Sequence, residues 1–104
     1  MKIRCEQVVK NIFPSVRSVI AEIMMKKYGM PQVEIAKKLG VSQAAVSYYL
    51  KGLRAKGVEL IKKDKVLMEK IEKFVRDIVY GNVSDEDVQE FFCDICKTIR
   101  SSKK

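Results

Sequence analysis

The sequence contains no histidine and no tryptophan, and it has only two prolines and five glycines in 104 residues. Without histidine, the chain lacks the side chain that most often acts as a general acid or base near neutral pH. It also has no glycine-rich phosphate loop and no nucleophile motif around a serine. We therefore expect no enzymatic activity, no metal site and no cofactor.

Long apolar runs are also missing, since no stretch approaches the roughly 20 residues of a membrane helix. The opening MKIRCEQVVK lacks the apolar segment of a signal peptide. We expect a cytoplasmic protein of one domain that does not associate with membranes. Lysine outnumbers arginine and amide side chains are few, a composition typical of a thermophile.

The scarcity of helix breakers and the abundance of Lys, Glu, Ala, Met and Leu predict an all-α fold. Pro14 is expected to end the first helix and to begin the second, which Gly29 would terminate. A long amphipathic helix is expected before Gly81, and Ser84 with three acidic residues after it predicts the start of the last helix. We predict a bundle of five to six helices without a wing, at about 2–12, 14–28, 32–39, 42–53, 64–80 and from 84 to near the C-terminus.

The excess of positive over negative charge is confined to the first half of the chain. Residues 1–57 hold eleven Lys and Arg against three Glu, whereas residues 58–104 hold ten basic and ten acidic residues. A basic half joined to a neutral half suggests one part that binds a polyanion and one with another task. A merely solvated basic surface is the alternative. Within one compact domain, we take Gly57 as the boundary between these parts.

Residues 32–51, QVEIAKKLGVSQAAVSYYLK, have the residue types that two short helices joined by a tight turn require. Ala36 is small where the helices would touch, and Gly40 falls where the turn needs a left-handed backbone. Ser42 is a good N-cap for the second helix. Six apolar residues occupy the positions expected to be buried: Ile35, Leu39, Val41, Val46, Tyr49 and Leu50.

This segment resembles the helix-turn-helix of Cro/Xre-like transcriptional regulators, closest to the N-terminal domains of archaeal predicted regulators. Cys5-Glu6, Pro14, Arg17 and Ile20-Ala21 add to the resemblance, which covers about half of the chain. The likeness implies an archaeal transcription regulator that binds double-stranded DNA in a sequence-specific manner. The chain leaves no room for the ligand-binding domain that some of these regulators carry, so no small-molecule substrate is expected.

The resemblance also implies a recognition helix at about 42–53 that enters the major groove. Gln43 would then pair with adenine, Ala44 or Ala45 would touch a thymine methyl, and the basic residues would hold phosphates. Tyr48 in the core and solvated lysines are the alternatives, and a helix-turn-helix can instead serve as a protein-interaction adaptor. The predicted DNA-binding residues are Ser42, Gln43, Ala44, Ser47, Tyr48, Lys51 and Arg54, with Lys37 and Lys38 from the preceding helix.

The neutral half predicts two amphipathic helices, which include Phe74, Phe91 and Phe92. A single recognition helix contacts few base pairs, whereas two in successive major grooves, about 34 Å apart, match a palindromic site. We therefore expect a homodimer in which at least the last helix packs against a second chain. The alternative is that these helices cover the core of their own chain.

Three cysteines are present: Cys5, Cys93 and Cys96. The last two form a CxxC within a helical pattern. A buried cysteine commonly acts as a small apolar residue, but disulfides do occur in the cytosol of hyperthermophiles. We therefore also consider a disulfide that involves the last helix, within or between protomers, and a redox-responsive regulator based on it.

Overall fold

The architecture is an all-α bundle, seen in a computed structural model that describes the backbone of residues 2–81 and 83–102 and the side chains of 12–81 and 83–99. That part of the chain has no β-strand, which confirms the predicted fold class. None of its helices combines the length and apolarity needed to cross a bilayer. The helices are α1 (Lys2–Lys26), α2 (Gln32–Leu39), α3 (Gln43–Lys51), α4 (Lys56–Lys63), α5 (Lys65–Tyr80) and α6 (Asp85–Ser102), with a 3₁₀ turn (Gly52–Arg54) after α3.

The first helix continues through Pro14 for 25 residues, so the predicted break there is wrong. A proline removes one intrahelical hydrogen bond and costs about 3 kcal/mol in a helix interior. The helix tolerates this cost because the turns that follow are anchored in the core, where Val16 and Val19 are fully buried. The Ser18 hydroxyl also donates a hydrogen bond to the Pro14 carbonyl, at 3.2 Å.

The core is built around α1, which packs against each of the other five helices. Its buried side chains meet Val46 of α3, Ile61 of α4, Ile71 of α5 and Ile95 of α6 in one continuous cluster. Gly57, where the charge pattern divides the chain, lies in the first turn of α4. The hydrophobic core therefore runs without interruption from the basic half into the neutral half.

Two N-caps determine where the last helices begin. Asp64 Oδ1 accepts hydrogen bonds from the backbone N–H groups of Val66 and Leu67, at 3.0 and 3.2 Å. Before α6, Ser84 Oγ accepts from the Asp87 N–H while the Asp87 carboxylate accepts from the Ser84 N–H, a reciprocal capping box. The predicted starts of both helices are confirmed.

The apolar stripe of α6 lies against the same chain. Phe91 stacks on Phe74 of α5 with ring centroids 3.9 Å apart. The ring centroids of Phe92 and Phe13 of α1 are 4.6 Å apart, and Ile95 is fully buried. In this chain, α6 therefore serves as the cover of its own core.

Glu22 links α1 to α4 electrostatically. Its carboxylate lies 2.8 Å from the Lys62 ammonium group and 3.3 Å from that of Lys26. Partial burial acts to raise the pKa of Glu22, but the hydrogen bonds and positive charges of Lys62 and Lys26 outweigh it and hold the pKa below its ordinary value of 4.5. The ionised carboxylate therefore stabilises the folded chain.

We expect Glu22→Gln to lower the free energy of unfolding at pH 7 by roughly 1 kcal/mol. Because the folded-state pKa is depressed, the contribution is present above pH 4.5 and is lost as the pH falls through the folded pKa. Urea denaturation should therefore show a difference in the free energy of unfolding between wild type and variant that is larger at pH 7 than in acid. Glu59→Gln, at an exposed residue of α4, is the control, and equal losses in both variants would contradict the prediction.

Candidate nucleic-acid interface

The turn between α2 and α3 has the geometry predicted from its residues. Gly40 ends α2 in the left-handed conformation, with φ 70° and ψ 32°. The Val41 N–H then donates to the Ala36 carbonyl at 3.0 Å. The Ser42 side chain accepts from the Ala45 N–H at 3.1 Å and so caps α3. These local contacts determine the angle at which α3 leaves the turn.

The inner side of the two helices is anchored in the core. Ile35 and Val46 are fully buried, and Ala36 is nearly so, as predicted. The other four predicted apolar positions, Leu39, Val41, Tyr49 and Leu50, are only partly buried.

The chain after α3 also lies close to α1. A Cβ placed on Gly52 would lie 3.0 Å from the Ser18 hydroxyl oxygen. A glycine at this position therefore allows the end of α3 to approach α1 closely. Together with the buried Val46, this contact holds α3 in a defined orientation on the bundle.

The outer side of α3 is open to solvent. Tyr48 exposes 72% of its surface, whereas its neighbour Tyr49 is partly buried, so placing Tyr48 in the core is wrong. Residues 43, 44, 47, 48 and 51 follow helical spacing and share one face. Gln43, Ala44 and Lys51 on this face are exposed, as is the cap Ser42, and Ser47 is half-buried.

Basic side chains flank this outer face without being neutralised. Lys51 and Arg54 are exposed at the end of α3 and in the 3₁₀ turn, and Lys37 and Lys38 are exposed in the last turn of α2. Within the described side chains, none of the four lies within 4.0 Å of a carboxylate oxygen. Their charge therefore remains available to an external anion.

One further cation lies close to this region, although the sequence prediction gave it no role. Arg17, exposed on α1, has its guanidinium carbon 5.4 Å from the centroid of the Phe92 ring. No carboxylate pairs with it among the described side chains. No pattern in the sequence predicts this contact, because α1 and α6 are distant along the chain.

The cysteines of the last helix differ in environment. Cys93 is exposed and Cys96 is buried, and no disulfide joins them. Residues three apart in a helix point in similar directions, but here only the second lies in the core. The side chain of Cys5 falls outside the described residues, so a link that involves it stays a prediction.

One comparison with known protein families matches the central segment of the chain. Residues 20–63 match the Cro/C1-type helix-turn-helix family model, which is less than half of the chain. The match runs from the buried part of α1 to the end of α4 and supports a general role in DNA binding. No curated protein and no solved structure matches the chain, and an archaeal origin stays a prediction.

Gly40 provides a test of the turn. No atom lies within 4 Å of a Cβ placed on it, so only its positive φ opposes a side chain. We expect Gly40→Ala to lower the free energy of unfolding by about 1 kcal/mol, and Gly40→Asn to cost less, because asparagine tolerates this conformation better. Urea denaturation of both variants measures the difference, and equal losses would argue against backbone strain as the cause.

Proposed function

We propose that this protein is a transcription regulator that binds double-stranded DNA in a sequence-specific manner through α3 and the 3₁₀ turn after it. The observation that carries the proposal is the two-sided character of α3. Val46 anchors its inner side in the core, while its outer face presents small and hydrogen-bonding groups beside unpaired cations. Such a face fits a major groove, which offers base edges between two rows of phosphates.

The residues of the outer face divide into two roles. Gln43, in the first turn of α3, can form two hydrogen bonds with an adenine, and Ala44 can contact a thymine methyl group. The Ser42 oxygen already accepts the capping bond, which leaves its O–H to donate to a phosphate. Ser47 and Tyr48 lie further along the same face, within reach of bases or phosphates.

The cations would hold the DNA backbone. Lys51 and Arg54 lie at one end of α3, whereas Lys37 and Lys38 precede the turn at its other end. Contacts with phosphates set the register of the protein on DNA and make its affinity depend on salt. The two kinds of contact should therefore be separable by mutation.

A homodimer is part of the proposal, because one α3 contacts too few base pairs for useful specificity. The apolar stripe of α6 is occupied within its own chain, so we place the contact at apolar residues that are exposed elsewhere. Leu60 of α4 and Val66 of α5 are 63% and 51% exposed on either side of the turn between those helices. We assign the contact with a second copy to this turn.

The DNA contacts can be tested by anisotropy on a duplex selected from a random pool, from about 50 to 200 mM salt. We expect Gln43→Ala to cost roughly 1–3 kcal/mol on the selected site and little on random DNA. Lys51→Gln should weaken binding to both and lower the salt slope by about one. Lys73→Gln, which removes an exposed charge from α5, is the control.

Negligible affinity for any duplex at low salt would overturn the proposal. The helix-turn-helix would then serve as a protein-docking module, the adaptor considered from the sequence. Equal losses for Gln43→Ala on selected and random DNA would instead overturn the assignment of this residue to base recognition.

The dimer can be tested by light scattering after size-exclusion chromatography. We expect the wild type to be a dimer and the double variant Leu60→Lys with Val66→Lys to be a monomer. Each protomer of a variant dimer would have to bury two unpaired lysine charges, and their desolvation opposes association. Val33→Lys, at another exposed apolar residue, is the control. A monomeric wild type at the concentrations that saturate DNA would exclude the dimer, and a dimeric double variant would exclude this surface.

A further inference from the structure

A cleft of about 660 Å³ separates the helix-turn-helix from the C-terminal helix. Helix α6 packs on α1 and α5, but in the described residues none of its Cα atoms comes within 8 Å of one in α2 or α3. Sites for small molecules commonly have volumes of about 300–1,000 Å³. The size of this cleft therefore suits an organic molecule.

The depth of the cleft is apolar. Ile20 of α1 and Ile78 of α5 are buried at its floor, together with Cys96 of α6. One wall comes from Leu39 and Val41 at the turn between α2 and α3, and the opposite wall from Val88 and Phe92 of α6. A hydrated ion would gain little from such a lining, whereas a hydrocarbon chain or an aromatic ring would bury apolar surface there.

The mouth of the cleft carries net positive charge. Arg17, Lys37 and Lys38 border it, and among the described residues the one acidic side chain in its lining is Asp85. All four are exposed, and no described carboxylate lies within 4.0 Å of the three basic side chains. The Arg17 guanidinium lies over the ring of Phe92, so the apolar wall and the positive mouth meet at this residue.

The larger groove between α5 and α6, of about 900 Å³, provides a contrast. There Lys70 is paired with Asp94 at 2.8 Å, and Asp77, Asp87 and Glu90 accompany the remaining cations. That groove is lined by charges of both signs, so it shows no preference for an anion. Unopposed positive charge beside an apolar interior distinguishes the smaller cleft.

We propose that the cleft between α1, the α2–α3 turn and α6 binds a small amphipathic organic anion, a medium- or long-chain carboxylate. Its hydrocarbon part lies against Ile20, Val41 and Phe92. Its carboxylate accepts hydrogen bonds from Arg17 at the mouth, in the field of Lys37 and Lys38. A DNA phosphate satisfies only the charged half of this site, because it has no apolar part to fill the floor.

Binding has a consequence that rests on the proposed function. Lys37 and Lys38 are assigned both to the mouth of the cleft and to DNA phosphates, and Val41 belongs to the turn that orients α3. A carboxylate at the mouth neutralises the charge on which phosphate binding depends. The anion should therefore lower DNA affinity several-fold.

Binding itself is tested without DNA, by calorimetry with decanoate below its micellar concentration and with 1-decanol as the uncharged probe. We expect one decanoate per chain, with an affinity roughly tenfold above that of the alcohol. Arg17→Gln should lower the affinity for decanoate by about the same factor, roughly tenfold. Arg76→Gln, which removes an exposed arginine of α5 outside the cleft lining, should leave decanoate affinity unchanged.

The place of binding is tested by methyl NMR and by thiol labelling. Shifts should be largest for Ile20, Val41 and Val88, and decanoate should slow alkylation of Cys93, which is exposed at the edge of the cleft. Val88→Trp should block the site, with its helical circular dichroism recorded to verify folding. No decanoate binding at millimolar concentration, equal binding of the alcohol, or shifts confined to other helices would each overturn the proposal.

A final measurement separates this inference from the proposed function. DNA affinity of the wild type and of Arg17→Gln is measured with and without decanoate. We expect decanoate to lower the DNA affinity of the wild type but not that of Arg17→Gln. Decanoate binding without any DNA affinity would overturn the proposed function and leave the ligand site standing, whereas binding with unchanged DNA affinity would overturn the regulatory consequence.

Discussion

The burial of one face of α1 is the interaction on which the rest of the structure depends. Val16, Val19 and Met24 on this face are completely removed from solvent, and the helix packs against all five others. Because apolar burial is the main favourable term in folding, the loss of this face would release both halves of the chain together. The helix-turn-helix is therefore stable as part of the whole bundle, although its turn has a local geometry of its own.

That shared core explains how a short α3 can present an unneutralised surface. An eight- or nine-residue helix is marginal by itself, and its orientation here comes from Val46 in the core and from the close approach of Gly52 to Ser18. With the inner side held in this way, the outer side is free to carry groups that contribute nothing to folding. Tyr48 is exposed on this outer side, as is Lys51, which has no carboxylate within 4.0 Å among the described side chains.

Local signals accounted for much of the fold. Gly40 and Ser42 predicted the turn because each satisfies a requirement of its own position, a left-handed backbone and an N-cap. Prediction failed at Pro14, where packing outweighed an intrinsic preference against helix. It also left α4 unassigned, since Gly52 and Gly57 obscured an eight-residue helix whose burial depends on α1.

The sequence by itself determined the all-α class, the helix-turn-helix and the concentration of positive charge in the first half, because these follow from residue types and spacings a few positions apart. Tertiary structure alone decided that Phe91 and Phe92 of α6 cover their own chain. It also brought Arg17, Lys38 and Phe92 to one cleft. The reason is that these arrangements depend on which helices meet, and contacts between residues dozens of positions apart leave no periodic trace in a single sequence.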